Sequence, residues 1–573
     1  MIRIALLLPV LLFAEKSEGE WVRRVQSHLC IDDASSALIE AKDFVSTFPD
    51  SKEARSSLIL AYAANGKEDL ALEAWHTLSV KDPALALDRH LLEEISWGVL
   101  RKGLESTQYG VRLSSLIGAF LTHDVRALPV LLKMMRDSNA VIRSVAVQMV
   151  GQYRDLPLRD EVSRMLREEK VWMVRLELIK ACGILRMKET VDFLKNLIQS
   201  EKTTYEERIR AIEALCEMYD KISYPEWQIL ASSNRAGLRH LACNIAAYFE
   251  LAEAKEEVLR LCFDSHPDVR IAALNAFGLY YRKITEKVDV EKRLKSLLQD
   301  GTPEVSITAS WALFLSGIST EDVFARWFND SVGEYRRLAA AAVTALGDRG
   351  GDFAFKIMQE NSDPYVKANL AVGLIGQRKE VKACSDILYT FLQTEKRMWM
   401  WDTRPNPLFQ ILAPSQIRHV DHIPNYPESI DQMTRLNLLS LLSLAEDPRS
   451  LDAVKSFLKK RTKGITGVAA AMLLQEGDET SLEVVRQLLQ DPDPDVRLQA
   501  CFVLAMLGKD ETVLSDLQGA YATADHDRKL HILEAMGRVG SIESFHFLIS
   551  ALKEPFPILR IAAAASLIQS IHR

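Results

Sequence analysis

The sequence predicts an all-α fold, a right-handed α–α superhelix in which helix pairs stack along one direction. Three observations carry that expectation. A unit of about thirty residues recurs from Leu104 to the C-terminus, the mark of a solenoid. In most units a turn places an acidic residue six positions before a basic one. Each turn then opens into a helix of alanines and branched aliphatics, as in Arg336-Arg-Leu-Ala-Ala-Ala-Ala-Val-Thr-Ala-Leu-Gly347.

Taken in chain order, residues 1–14 come first. Met1-Ile2-Arg3 is a short positive start, Ile4 to Phe13 is an apolar run broken only by Pro9, and Ala14 is a small residue before Glu15. The run is too short to span a bilayer and fits a secretory signal peptide cleaved after Ala14. The mature chain is therefore expected to be exported, periplasmic or secreted; an uncleaved N-terminus would leave it cytoplasmic. No later stretch has the length and apolarity of a membrane span.

Residues 21–100 follow another pattern. Ala61-Tyr62, Gly66, Ala71, Trp75 and Asp82-Pro83 sit where two antiparallel helices would approach closely and then stop. Ala71 and Trp75, four apart, share one helix face. Ala37 to Phe44, ahead of Pro49, supplies the second helix of a preceding pair. This block resembles tetratricopeptide repeats. With so few units it would either cap the longer array or form a separate peptide groove.

The array proper is expected over 104–394 and 435–573. The acid and base six apart are Asp137 and Arg143, Glu169 and Arg175, Asp264 and Arg270, Asp330 and Arg336, Asp491 and Arg497, Glu554 and Arg560. Asn361 and Lys367 are a softened pair, and Asp300 meets Ser306 instead of a base. The acid is placed to cap the second helix of its unit. Pro267, Pro303, Pro364 and Pro494 stand near helix starts, where the missing N–H does no harm. These units resemble HEAT repeats, in particular the short bacterial kind related to phycobilisome-lyase repeats. The resemblance implies that the Arg column forms a structural ladder along the stack. The last helix, with Ala562 to Ala565 and then Leu567, Ile568 and Ile571, looks apolar on more than one face, which leaves it open to a second copy of the chain in a homodimer.

One segment breaks the period. Residues 395–434 are rich in Pro and aromatics, and stacking does not need them. Trp399 and Trp401 alternate around Met400, and Arg404, Arg418, His422 and Tyr426 follow. Aromatic and Arg residues are the usual anchors of interfaces, so this segment is either a recognition element or a lid that folds back into the groove. His419, Asp421 and His422 crowd three ligand types into four residues without a distant partner, so no metal is expected.

Composition narrows the function classes. The formal net charge of −7 argues against a general nucleic-acid binder. The seven cysteines are scattered, without CxxC or Cys/His metal spacing, and are expected to be buried free thiols. No P-loop, GxSxG or HExxH is present. Iron-dependent hydroxylases built on HEAT-like repeats need His-Glu dipeptides, and none occurs among the twelve histidines. The expectation is a non-enzymatic scaffold for protein partners, without a cofactor. A bilin-lyase-like enzyme or assisting subunit and a nucleic-acid-associated protein stand as alternatives.

Overall fold

The computed structural model describes residues 16–153, 155–200, 202–219, 221–416, 426–445, 447–449, 485–507 and 510–572. Helices linked by short turns make up almost all of it. The signal-peptide segment lies outside the described residues. The chain divides into two units, one of residues up to Ala214 together with Leu489–Arg573, the other Leu215–Leu488.

In the first unit the N-terminal block is two helical hairpins, Glu18–Cys30 with Ala34–Thr47 and Lys52–Ala64 with Glu68–Lys81. The pair that sequence reading finds only by its second helix is thus completed by Glu18–Cys30. Trp21 stacks on Phe44 at 5.9 Å, and Val25, Ala37, Leu38, Ala41 and Ala61 form the adjoining core. As expected, the fourth helix ends at Asp82-Pro83, and Pro83 begins a short 3-10 turn. Helix Lys52–Ala64 packs on Arg89–Leu104. Gly98 allows the approach, because a Cβ there would lie 2.9 Å from the carbonyl oxygen of Ala63.

Repeats follow as short first helices and longer second helices, among them Tyr109–Leu121, Ala140–Val150 and Trp172–Ile184. The last helix, Pro557–Ile571, packs on Arg89–Leu104 and Tyr109–Leu121. Ile561, Leu567 and Ile568 are buried there, and Gln569 Nε2 donates to the carbonyl oxygen of Leu121 at 2.8 Å. The extra apolar face of this helix is therefore covered by the chain itself, which corrects the expectation that a second copy would cover it.

In the second unit the second helices include Ala236–Tyr248, Pro267–Leu279, Pro303–Leu315, Gly333–Thr344 and Pro364–Gly376. The purely helical expectation needs one correction. Within the insertion, β1 (Trp399–Asp402) and β2 (Ile411–Pro414) form an antiparallel hairpin pairing Trp399 with Pro414 and Asp402 with Ile411. The insertion also ends earlier than 434, because a helix already begins at Tyr426. Pro427 stands in its first turn, where proline is compatible with a helix.

Five cysteines are buried as expected, whereas Cys30 is exposed and Cys216 half-buried.

Candidate interaction surface

The ladder runs from turn to turn along the stack, as the resemblance implies. Acid and base of one turn do not pair through their side chains. Instead each Arg Nη1 donates to the main-chain oxygen of its own turn's acid: Arg143 to Asp137 at 2.8 Å, Arg175 to Glu169 at 3.1 Å, Arg270 to Asp264 at 2.9 Å. The same bond joins Arg336 to Asp330 at 2.7 Å, Arg497 to Asp491 at 2.6 Å and Arg560 to Glu554 at 3.3 Å. The rest of the guanidinium reaches the acid of the following turn. Arg143 meets Glu169 at 2.8 and 3.1 Å, Arg175 meets Glu207 at 2.6 Å, Arg270 meets Asp300 at 3.0 Å and Arg336 meets Asp363 at 2.8 Å. The charge pairs thus tie each repeat to the next.

The acids also differ from expectation in what they cap. Asp137 accepts from the N–H of Asn139 at 2.7 Å, Asp264 from His266 at 2.9 Å and Asp491 from Asp493 at 2.8 Å. They fix the residue at the threshold of the helix, not the N–H groups inside it. Sequence reading missed two rungs. Arg112 meets Asp137 at 2.7 and 3.0 Å, and Arg239 meets Asp264 at 2.7 and 2.8 Å. Six residues before them stand Ser106 and Ser233, whose main-chain oxygens accept from the Arg and whose hydroxyls accept from the N–H of Gln108 and Arg235 at 3.2 Å, as the carboxylates do in other turns. An acid at that position is therefore dispensable, and a search for Arg alone would have found both.

Burial works to raise the carboxyls of Asp137, Glu169 and Asp264, yet the bonds from Arg112, Arg143, Arg239 and the turn N–H groups outweigh it. All three are held below the ordinary carboxylate range.

The insertion folds back onto the second helices of the second unit. Asn369 donates through Nδ2 to the carbonyl oxygen of Leu412 at 2.9 Å and accepts from the Leu412 N–H at 2.8 Å. One amide thus reads both main-chain groups of an extended residue. In the hairpin loop Asn406 exchanges two 2.9 Å bonds with Asn275 and donates to Thr308 at 3.0 Å, all of it buried. Phe409 meets Trp311 edge-on at 5.6 Å. Under this cover the helices Pro267–Leu279, Pro303–Leu315 and Pro364–Gly376 are buried on nearly every side.

The predicted site residues are not brought together as one exposed patch. Trp399 is fully buried: its ring lies 4.3 Å from Phe391, Arg435 stacks on it at 3.8 Å, and its main-chain N–H donates to the Asp431 carboxylate at 2.7 Å. It serves packing and is closed to a partner, a correction that follows from the strand turning it inward. Trp401 is half-buried. The Arg404 side chain is 65% exposed but held by Asp402 at 2.8 Å. Arg418, His419, Asp421 and His422 lie outside the described residues, and Tyr426 opens the following helix.

Beside the hairpin, turns 328–337 and 357–365 enclose a cleft of about 710 Å³ with Arg397. Two of its cations are matched, Arg336 by Asp363 and Arg397 by Glu395 at 2.9 Å. Arg337 has no ion pair among the described residues.

Helix pairs stacked through an Arg–acid ladder define the class: an α-solenoid of two-helix repeats. Segments 128–216, 451–537 and 482–568 match the family model for HEAT repeats. The chain is a HEAT-repeat protein. No curated protein matches it in sequence. Among solved structures it is similar to yeast importin-beta (Kap95p), with 12% identity over 94% of this chain and 80% of that one, TM-score 0.36. Kap121p gives 12% identity over 96% and 80%, TM-score 0.34. The UNC-45 chaperone, described as binding and folding muscle myosin, gives 11% over 96% and 78%, TM-score 0.32.

Proposed function

We propose that the chain is a non-enzymatic scaffold that holds protein partners on its repeat surface. One observation carries this reading: the second-helix layer grips an extended stretch of its own chain, with Asn369 bonding both the N–H and the C=O of Leu412. Main-chain recognition of that kind needs no particular ligand sequence beyond an extended shape. The thiols are poorly suited to chemistry, since burial pushes Cys182, Cys262, Cys384 and Cys501 up to about 12. The N-terminal hairpins, read as tetratricopeptide-like, serve as a cap, because Lys52–Ala64 packs directly on Arg89–Leu104. Export follows from residues 1–14, and mass spectrometry of the mature protein should place its N-terminus at Glu15.

The test is affinity capture with cross-linking of the full chain from its native cells. The scaffold reading expects a stoichiometric protein partner cross-linked to repeat residues. A chain recovered without any partner, or with a bound small molecule that it converts, would overturn it.

A further inference from the structure

The cleft of about 710 Å³ beside the hairpin holds two polar groups whose bonding is incomplete. Tyr365 lines it, is 2% exposed, and its hydroxyl has no hydrogen-bond partner. Arg337 lines it too, half-buried and without a hydrogen bond or ion pair among the described residues. The repeat needs neither side chain. The ladder residue of this turn is Arg336, and the residue after the ladder arginine is Ser144, Leu176, Ile271, Leu498 or Ile561 in other turns. Where Tyr365 follows Pro364, other turns place Asp268, Glu304, Asp495 or Ile558 after their proline.

The two groups meet at one ring. The Arg337 guanidinium stands 5.9 Å from the centre of the Tyr365 ring, and that of Arg397 stands 5.0 Å from it. Burial presses Arg337 below the ordinary arginine value, whereas Glu334 and Asp363 act on it only from beyond ion-pair distance. Burial also raises the Tyr365 phenol to about 12, so its hydroxyl keeps a proton to donate. Asp363 already holds Arg336, and Glu395 holds Arg397. One positive charge and one O–H donor therefore stand unmatched side by side.

We propose that this cleft binds a single carboxylate of a partner peptide at the Arg337 guanidinium and the Tyr365 hydroxyl, an inference that rests on the scaffold reading. A guanidinium fork matches the two oxygens of a carboxylate, and a phenol adds a further donor. The remaining charges set a limit on the ligand. Asp330, bonded to the Val332 N–H at 2.8 Å, and the exposed Glu360 also line the cleft, and neither has an ion pair among the described residues. A phosphate dianion would bring a second negative charge towards them, whereas a monoanion with an uncharged remainder would not. Ala325, Phe328, Ile357 and Pro364 supply apolar wall for the side chains flanking the carboxylate.

Isothermal calorimetry with the full chain and short peptides tests this. Acetyl-Leu-Glu-Leu-amide carries a side-chain carboxylate, acetyl-Leu-Gln-Leu a chain-end carboxylate, and acetyl-Leu-Gln-Leu-amide neither. At least one of the first two should bind and the third should not; whichever binds tells a side-chain source from a chain end. Arg337→Gln should weaken binding about tenfold and Tyr365→Phe by a smaller factor. Both variants should melt with the intact chain, because neither gives up a hydrogen bond or ion pair inside the protein. No binding of either carboxylate peptide, equal binding of the uncharged one, tighter binding of inorganic phosphate, or unchanged affinity in Arg337→Gln would each overturn the inference. The scaffold reading would still stand if the capture experiment returned a partner cross-linked elsewhere.

Discussion

Two stretches of the same repeat have opposite fates. In the first unit, helices Ala140–Val150 and Trp172–Ile184 bury one side and leave Val141, Trp172 and Ile184 in solvent. In the second unit, Pro267–Leu279 and Pro303–Leu315 bury nearly every side chain. The repeat chemistry is shared, down to the Arg–acid rung between turns. What differs is the cover. The hairpin of the insertion folds over one run of helices, and among the described residues no such segment folds over the other. A solenoid's second face is thus decided outside the repeat that carries it.

The strongest way to break the contrast is to remove the pin of the cover. Trp399→Ala empties a fully buried site between Phe391 and Arg435, and should cost about 3–5 kcal/mol in a denaturant titration. A loss below about 1 kcal/mol would show that the strand is not anchored there. Next comes Asn369→Leu, which leaves the buried N–H and C=O of Leu412 without partners, at about 1–3 kcal/mol for each group. A smaller effect is expected from Arg270→Ala, about 1–2 kcal/mol, since it removes a bond to a main-chain oxygen and a partly exposed ion pair. Hydrogen exchange should rise over 264–302 and stay unchanged over 137–184.

Acid sharpens the contrast further. The carboxyls of Asp137, Glu169 and Asp264 are held below their ordinary range, so their stabilisation is complete above the unfolded value near pH 4. It is lost as pH falls through the lower folded values. The Asn275–Asn406 and Asn369–Leu412 bonds have no proton to gain. Exchange measured from pH 5 downward should therefore loosen the rungs before the hairpin. The smallest effect is expected at Trp172→Ala, within about 0.5 kcal/mol, because the ring is half exposed and packs no core.

Much of this was legible in the sequence. The period, the helix-pair class and the ladder arginines follow from a local pattern that repeats, so each unit corroborates the next. The bond from each Arg to the main-chain oxygen of its own turn was not legible, because side-chain spacing gives no sign of a main-chain acceptor. Nor was the role of Asn275, Thr308 and Asn369, which read as ordinary helix residues until their partner from residues 403–412 is known. A signal was nevertheless present. Val305 to Leu315 and Ala368 to Ile375 contain no charged residue, and a surface helix without a charged face must be covered by something. Trp399 was visible as an anchor but not as an inward one, since a two-residue alternation fixes sides without saying which faces the core.

The most direct test of the cover is hydrogen exchange by mass spectrometry on the intact chain and on Asn369→Leu. The account predicts faster exchange in 399–414 and in helices Pro267–Leu279, Pro303–Leu315 and Pro364–Gly376, with 109–184 unchanged. Unaltered exchange at 399–414, or an equal rise throughout the chain, would contradict it.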